Sequence, residues 1–216
     1  GLALAGRGHY IEPGQADLTR VLAPAPTDDS ATTKADLAEL LKLQAARTPA
    51  QEEAAKADVK RTVTRFADVL GPGFKKDALP VTETFFKRLS RDASLAVAQV
   101  KNRWSRPRPF TVSDEIKPCL PRPASPSYPS GHSTWGHLAA IVLAGMVPEK
   151  AAELYARGDE FARQRLIGGV HYPSDVEAGK IAAAVIASAL FSSEEFRKDY
   201  ELSRAEVRKV LRLPMD

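Results

Sequence analysis

Between Pro107 and Pro129 the chain reads PRPFTVSDEIKPCLPRPASPSYP, seven prolines in one stretch. Each proline lacks a backbone N–H, and each pushes the residue before it out of the α region. With no apolar periodicity to oppose them, these prolines make the stretch a loop. Regular structure must therefore come from the segments on either side.

Those segments carry helical patterns. Leu37, Leu40, Leu41 and Leu43 share one side of a predicted helix from about Lys34 to Arg47. Thr48, Pro49 and Gln51 form an N-cap, a first-turn proline and a capping-box partner, opening a second helix towards Leu70 that GPG at 71–73 stops. Phe86, Leu89, Ala93, Ala96, Val97 and Val100 mark a third over about Val81 to Asn102. Beyond the loop, helices are predicted over Gly131 to Val147, Glu149 to Leu166 and Pro173 to Leu190, and a last one opens at a Ser192–Glu195 capping box. No strand pattern and no internal repeat is visible. The expectation is an all-α fold, a single-domain helical bundle over residues 1–216, with the Gly- and Pro-rich residues 1–30 as an extended amino-terminal arm.

Composition narrows the function classes. The formal net charge of +4 is a mild excess that favours anionic ligands without indicating nucleic acid. The single cysteine, Cys119, excludes an internal disulfide and any multi-Cys metal site. The apolar runs Leu138 to Val147 and Ile181 to Phe191 are too short to span a bilayer and read as core helices of a soluble protein. No secretory n-region and h-region appear at the start, so the chain is expected to be cytoplasmic or a processed mature form.

Three short stretches stand out chemically. In KNRWSRPRP, Lys101 ends a helix and Arg108 follows, held extended by Pro109. Lysine offers a mobile point charge and arginine a planar fork matched to phosphate oxygens. The same residues also suit a solvated basic helix end, or nucleic-acid contact through Arg103, Trp104 and Arg106. In SYPSGHSTWGH, Ser130 and Gly131 open an apolar helix whose free N–H groups and positive end can seat an anion, although ordinary helix starts look alike. In RLIGGVHYPSD, Arg165 ends a helix, and His171 precedes Asp175 by four residues. That spacing lets a carboxylate fix the imidazole's tautomer, or serves as a capping or surface pair.

Taken in order, Lys-x6-Arg-Pro, Pro-Ser-Gly-His and Arg-x5-His-x3-Asp over residues 101–175 resemble the three-part signature of the type 2 phosphatidic acid phosphatase superfamily. The likeness is greatest to bacterial class A non-specific acid phosphatases, whose amino-terminal segment is similar to HYIEPGQADLTRVLAPAP. The resemblance implies that Lys101, Arg108 and Arg165 clamp phosphate oxygens and that Ser130 and the Gly131 N–H complete the cradle. It implies a nucleophilic His171, an Asp175 that orients it, and a His132 that protonates the leaving alcohol and then activates water. One position departs: Gln164 stands where the family usually has serine. His137 is expected to be structural, and His9 to lie on the arm or surface.

Chemistry alone supports that division, since one imidazole must be neutral to attack while another is protonated to donate. The implied activity is metal-independent hydrolysis of phosphomonoesters through a phosphohistidine, without a cofactor, with room for phosphotransferase activity. Vanadate, phosphate and similar oxyanions would inhibit it. The resemblance also implies a periplasmic or secreted location and is compatible with a homo-oligomer; no nucleic-acid partner and no membrane span are expected. Two alternatives stay open, a vanadium-dependent haloperoxidase-like enzyme with His171 on vanadate, and a non-catalytic phosphate-binding module.

Overall fold

Side-chain caps set several of the helix starts in the computed structural model, which describes residues 7–215. Helix α1 (Ala31–Ala46) begins after Ser30, whose hydroxyl accepts the Thr33 N–H. Thr48 and Gln51 form the anticipated capping box of α2 (Pro49–Ala57). There the sequence reading needs correction, because no continuous helix runs to Leu70. The chain breaks at Asp58, makes a 3-10 turn over Val63–Phe66 and resumes as the single turn α3 (Ala67–Leu70). The cause is tertiary. Asp58 is gripped by Arg157 at 2.7 and 3.0 Å and by Arg65 at 2.8 Å, and the redirected chain buries Val63 and Phe66.

Helix α4 (Pro80–Trp104) buries its whole predicted stripe from Phe86 to Val100 and ends at Ser105, in the left-handed region at φ 40°. The proline-rich loop holds one helical turn, α5 (Pro109–Val112). Then come α6 (Gly131–Met146), α7 (Ala151–Ile167), α8 (Pro173–Ser192) and α9 (Glu194–Leu211). The cap of α9 is Ser193, one residue later than predicted, because α8 runs on through Ser192.

Among the described residues there is no strand, and the fold is all-α. Helix α6 is buried on nearly every side, between α7 and α8, with α4 against it. Glycines allow the approach. A Cβ on Gly158 of α7 would lie 2.9 Å from the Ala140 Cβ, and one on Gly179 of α8 would lie 2.7 Å from the Ser130 carbonyl oxygen. The second contact brings the start of α8 against the start of α6, which places the two histidine motifs side by side. Residues 1–6 of the expected arm lie outside the described residues; from residue 7 the amino-terminal segment carries short 3-10 turns and is docked, with Tyr10, Ile11, Leu18 and Leu22 in the main core. Asp92 of α4 holds it through the backbone N–H groups of His9 and Tyr10 at 2.6 and 2.7 Å.

Candidate active site

A cavity of about 240 Å³ opens where the end of α4, the proline-rich loop, the start of α6 and the α7–α8 junction meet. Lys101, Arg108, Gly131, His132, Arg165 and His171 all line it. The structure therefore brings together side chains from all three singled-out stretches. Their burial is graded. His171, Arg108 and Arg165 are buried at the floor, whereas Lys101 and His132 are only partly so.

His171 is held by its neighbour one turn on, with Nδ1 at 3.1 Å from Asp175 Oδ2. The carboxylate accepts the Nδ1 proton, which leaves the Nε2 lone pair for the cavity. Arg108 Nη1 lies 2.9 Å from that Nε2. Burial, reinforced by Arg108, Lys101 and Arg165, pushes the His171 pKa well below its ordinary value. The ring is therefore neutral and basic at one defined nitrogen.

Asp175 is itself fully satisfied. It accepts from the Tyr172 N–H at 3.0 Å, from the Ser127 hydroxyl, and from Arg106 Nη1 at 2.8 Å. Arg106 is buried and extends the network to Ser174 at 2.7 Å and to α1, through Thr33 at 2.9 Å and Asp36 at 3.3 Å. Its guanidinium stacks on the Tyr172 ring, 3.8 Å from the centroid. Sequence reasoning weighed Arg106 only as part of a nucleic-acid contact. Its partners lie on distant segments, and only the proline that follows it, Pro107, hinted at a fixed position.

The cations differ in how they are held. Arg108 is locked to the Ser125 carbonyl at 2.8 Å and the Val170 carbonyl at 2.6 Å. Lys101 Nζ donates to the Pro126 and Ser127 carbonyls. Burial and the nearby Arg108 pull the Lys101 pKa down to about 7, with Asp175 opposing. Arg165 is different. Its Nε and Nη1 are buried with no hydrogen-bond partner among the described residues, an arrangement that costs free energy unless an anion completes it. A fourth cation, Arg61, lines the mouth of the same cavity from the connection between α2 and α3. No motif in the sequence marks it.

His132 Nε2 lies 3.0 Å from the Val59 carbonyl, and its ring stacks on Phe161. Burial first, then Arg165, Arg61 and Arg108, lower its pKa to about 3, with the Val59 carbonyl opposing. A bound dianion would reverse the charge part of that shift and favour the imidazolium. Ser130 lies behind the wall as the N-cap of α6: its hydroxyl accepts the Ser133 N–H at 3.3 Å, and its own N–H donates to the Asp175 carbonyl at 2.9 Å. Gln164 is buried outside the lining, with its amide on Glu160 of the same helix. His137 is a buried helix residue between the Ser133 carbonyl at 2.8 Å and Asp159 at 2.9 Å. His9 faces Glu195 at 3.3 Å. No group of three metal-ligating side chains converges among the described residues.

The arrangement can seat a tetrahedral anion between cations, present a neutral nitrogen to it and offer a second imidazole nearby. Comparison with known proteins gives a family and a fold. The family model of the PAP2 superfamily matches residues 92–199. An acid phosphatase of Zymomonas mobilis is 38% identical over 136 residues, 61% of this chain and 51% of that protein, so the chain spans about half that relative's length. A non-specific acid phosphatase of Salmonella typhimurium is 34% identical over 196 residues, 86% of this chain and 78% of that protein. In fold, the chain resembles a bacterial vanadium-dependent iodoperoxidase with a TM-score of 0.57 at 23% identity, covering 82% of this chain and 53% of the other.

Proposed function

The chain belongs to the PAP2 superfamily, and from that premise we propose that it is an acid phosphatase that hydrolyses phosphomonoesters through a phosphohistidine. The observation that carries this reading is His171: a buried neutral imidazole, fixed by Asp175, whose Nε2 faces a cavity lined with cations. Its lone pair attacks phosphorus, the N–P bond forms as the P–O bond breaks, and His132 gives its proton to the departing oxygen. Arg108, Arg165 and Lys101 hold the equatorial oxygens, with the Gly131 N–H at the start of α6, while Ser130 caps that helix from behind the wall. Asp175 stabilises the ring as it gains positive charge. His132 then takes a proton from the water that cleaves the N–P bond, and an acceptor alcohol in place of water gives phosphotransfer.

The cationic side chains and the helix N-terminus supply charge that a divalent ion provides in other phosphatases, which supports metal-independent turnover. The same cradle fits phosphate and vanadate as competitive inhibitors. Kinship with bacterial non-specific acid phosphatases supports a periplasmic or secreted site of action.

The decisive experiment separates the histidines. With p-nitrophenyl phosphate, whose leaving group departs largely unprotonated, His132→Ala should release a burst of nitrophenol and accumulate an acid-labile, base-stable phosphoprotein. His171→Ala should give neither, and wild-type activity should survive EDTA. Comparable turnover by both variants and wild type would remove the covalent mechanism.

A further inference from the structure

The cavity has a direction. The nucleophile lies at its buried floor, His132 stands higher in the wall, and Arg61 occupies the exposed mouth. With His171 attacking from the floor, in-line displacement sends the leaving group towards the mouth. Arg61 is thus on the leaving-group side, apart from the cations that hold the transferred phosphoryl group.

Its position there is built. The connection from Asp58 to Thr62 is pinned at Asp58 by Arg157 and Arg65. The next residue, Val59, gives its carbonyl to His132 at 3.0 Å. Two residues further, Arg61 Nη1 donates to the Ser94 hydroxyl at 3.3 Å and lies 3.9 Å from where a Cβ on Gly131 would be. The guanidinium is therefore beside the helix start that cradles the phosphoryl group. No carboxylate among the described residues pairs with it, whereas Arg65 and Arg157 on either side of the connection are both paired with Asp58.

We propose that Arg61 selects substrates whose leaving group carries its own negative charge next to the scissile bond, a carboxylate or a second phosphoryl group. This rests on the phosphohistidine reading above and adds a preference to it. The bonds that change are the same: N–P forms at His171, P–O breaks, and the leaving oxygen takes the His132 proton. The additional anion only meets the fork of Arg61. Because Arg61 is exposed, solvent and salt limit its effect to roughly five- to tenfold in kcat/KM.

The test uses matched esters, 2-phosphoglycerate and glycerol 2-phosphate, which differ by a carboxylate in place of a hydroxymethyl group, with pyrophosphate as the second-phosphoryl arm. Wild type should prefer both charged substrates to glycerol 2-phosphate, and the preference should shrink as salt rises. Arg61→Ala should collapse the ratio and Arg61→Lys should retain part of it. A response confined to pyrophosphate assigns the preference to a second phosphoryl group, and one confined to 2-phosphoglycerate assigns it to a carboxylate; either supports the proposal. No preference in wild type, or a preference that survives in Arg61→Ala, overturns it while leaving the phosphatase reading intact. If wild type hydrolyses none of the three, both readings fall together.

Discussion

Arg106 shows how much of the setting of His171 depends on a residue that does not line the cavity. Removing its guanidinium leaves Asp175 and Asp36 buried without their cation, an arrangement that typically costs about 3–5 kcal/mol. Arg106→Ala should therefore lower the unfolding free energy measured by denaturant titration by that order, and a loss under about 1 kcal/mol would mean that the network is not coupled to stability. Arg108 makes a different point, because its fork spreads over the Ser125 and Val170 carbonyls and the His171 ring. A lysine cannot reproduce those directions. Arg108→Lys should reduce kcat/KM on the order of a hundredfold while circular dichroism stays unchanged. Gln164→Ser, in contrast, should keep most activity in the same assay, since the amide is committed to Glu160 outside the cavity wall.

At the scale of elements, the connection between α2 and α3 carries the most information per residue. Its Asp58 anchor, Val59 carbonyl and Arg61 side chain all depend on one turn of backbone. Arg157→Ala should free that turn, destabilising the fold by roughly 3 kcal/mol or more because Asp58 is left buried and short of a partner. It should also raise KM, an effect readable in steady-state kinetics well below the melting temperature. None of this was visible in the sequence, because Asp58 and Arg157 are 99 residues apart and no local pattern links them. The helical stripe of α4 and the apolar α6 were legible because their signals are periodic and local. The same contrast runs through the site. His171 and Asp175 are one helical turn apart and could be read together, while Arg106 meets Asp36 and Asp175 across 70 and 69 residues. Motif order brought the three stretches together on paper, but it is packing, such as that of Gly179 against the start of α6, that sets the two histidine motifs side by side.

For the whole molecule, the charge stored in the cavity links stability to pH. His132, lowered to about 3, and His171, lowered in the same direction, stay neutral in the folded chain where an unfolded chain would protonate them near 6.5. The unfolded state therefore binds more protons below that value, and stability falls as the solution is acidified through the window from about 6.5 towards 3. Each histidine adds a slope of at most about 1.4 kcal/mol per pH unit. Lys101, lowered to about 7 from 10.5, acts in the same sense at higher pH, since its unfolded form keeps a proton that the folded form has lost. An oxyanion in the cavity opposes these shifts by favouring every protonated partner around it. Phosphate or vanadate should thus raise the melting temperature, and thermal denaturation across pH should show that rise growing on the acid side of about 6.5. His132→Ala should flatten part of the acid-side slope even without anion. A melting temperature that increased on acidification without any oxyanion would contradict the charge arrangement at its root, because the folded cavity would then be taking up protons that its four cations should repel.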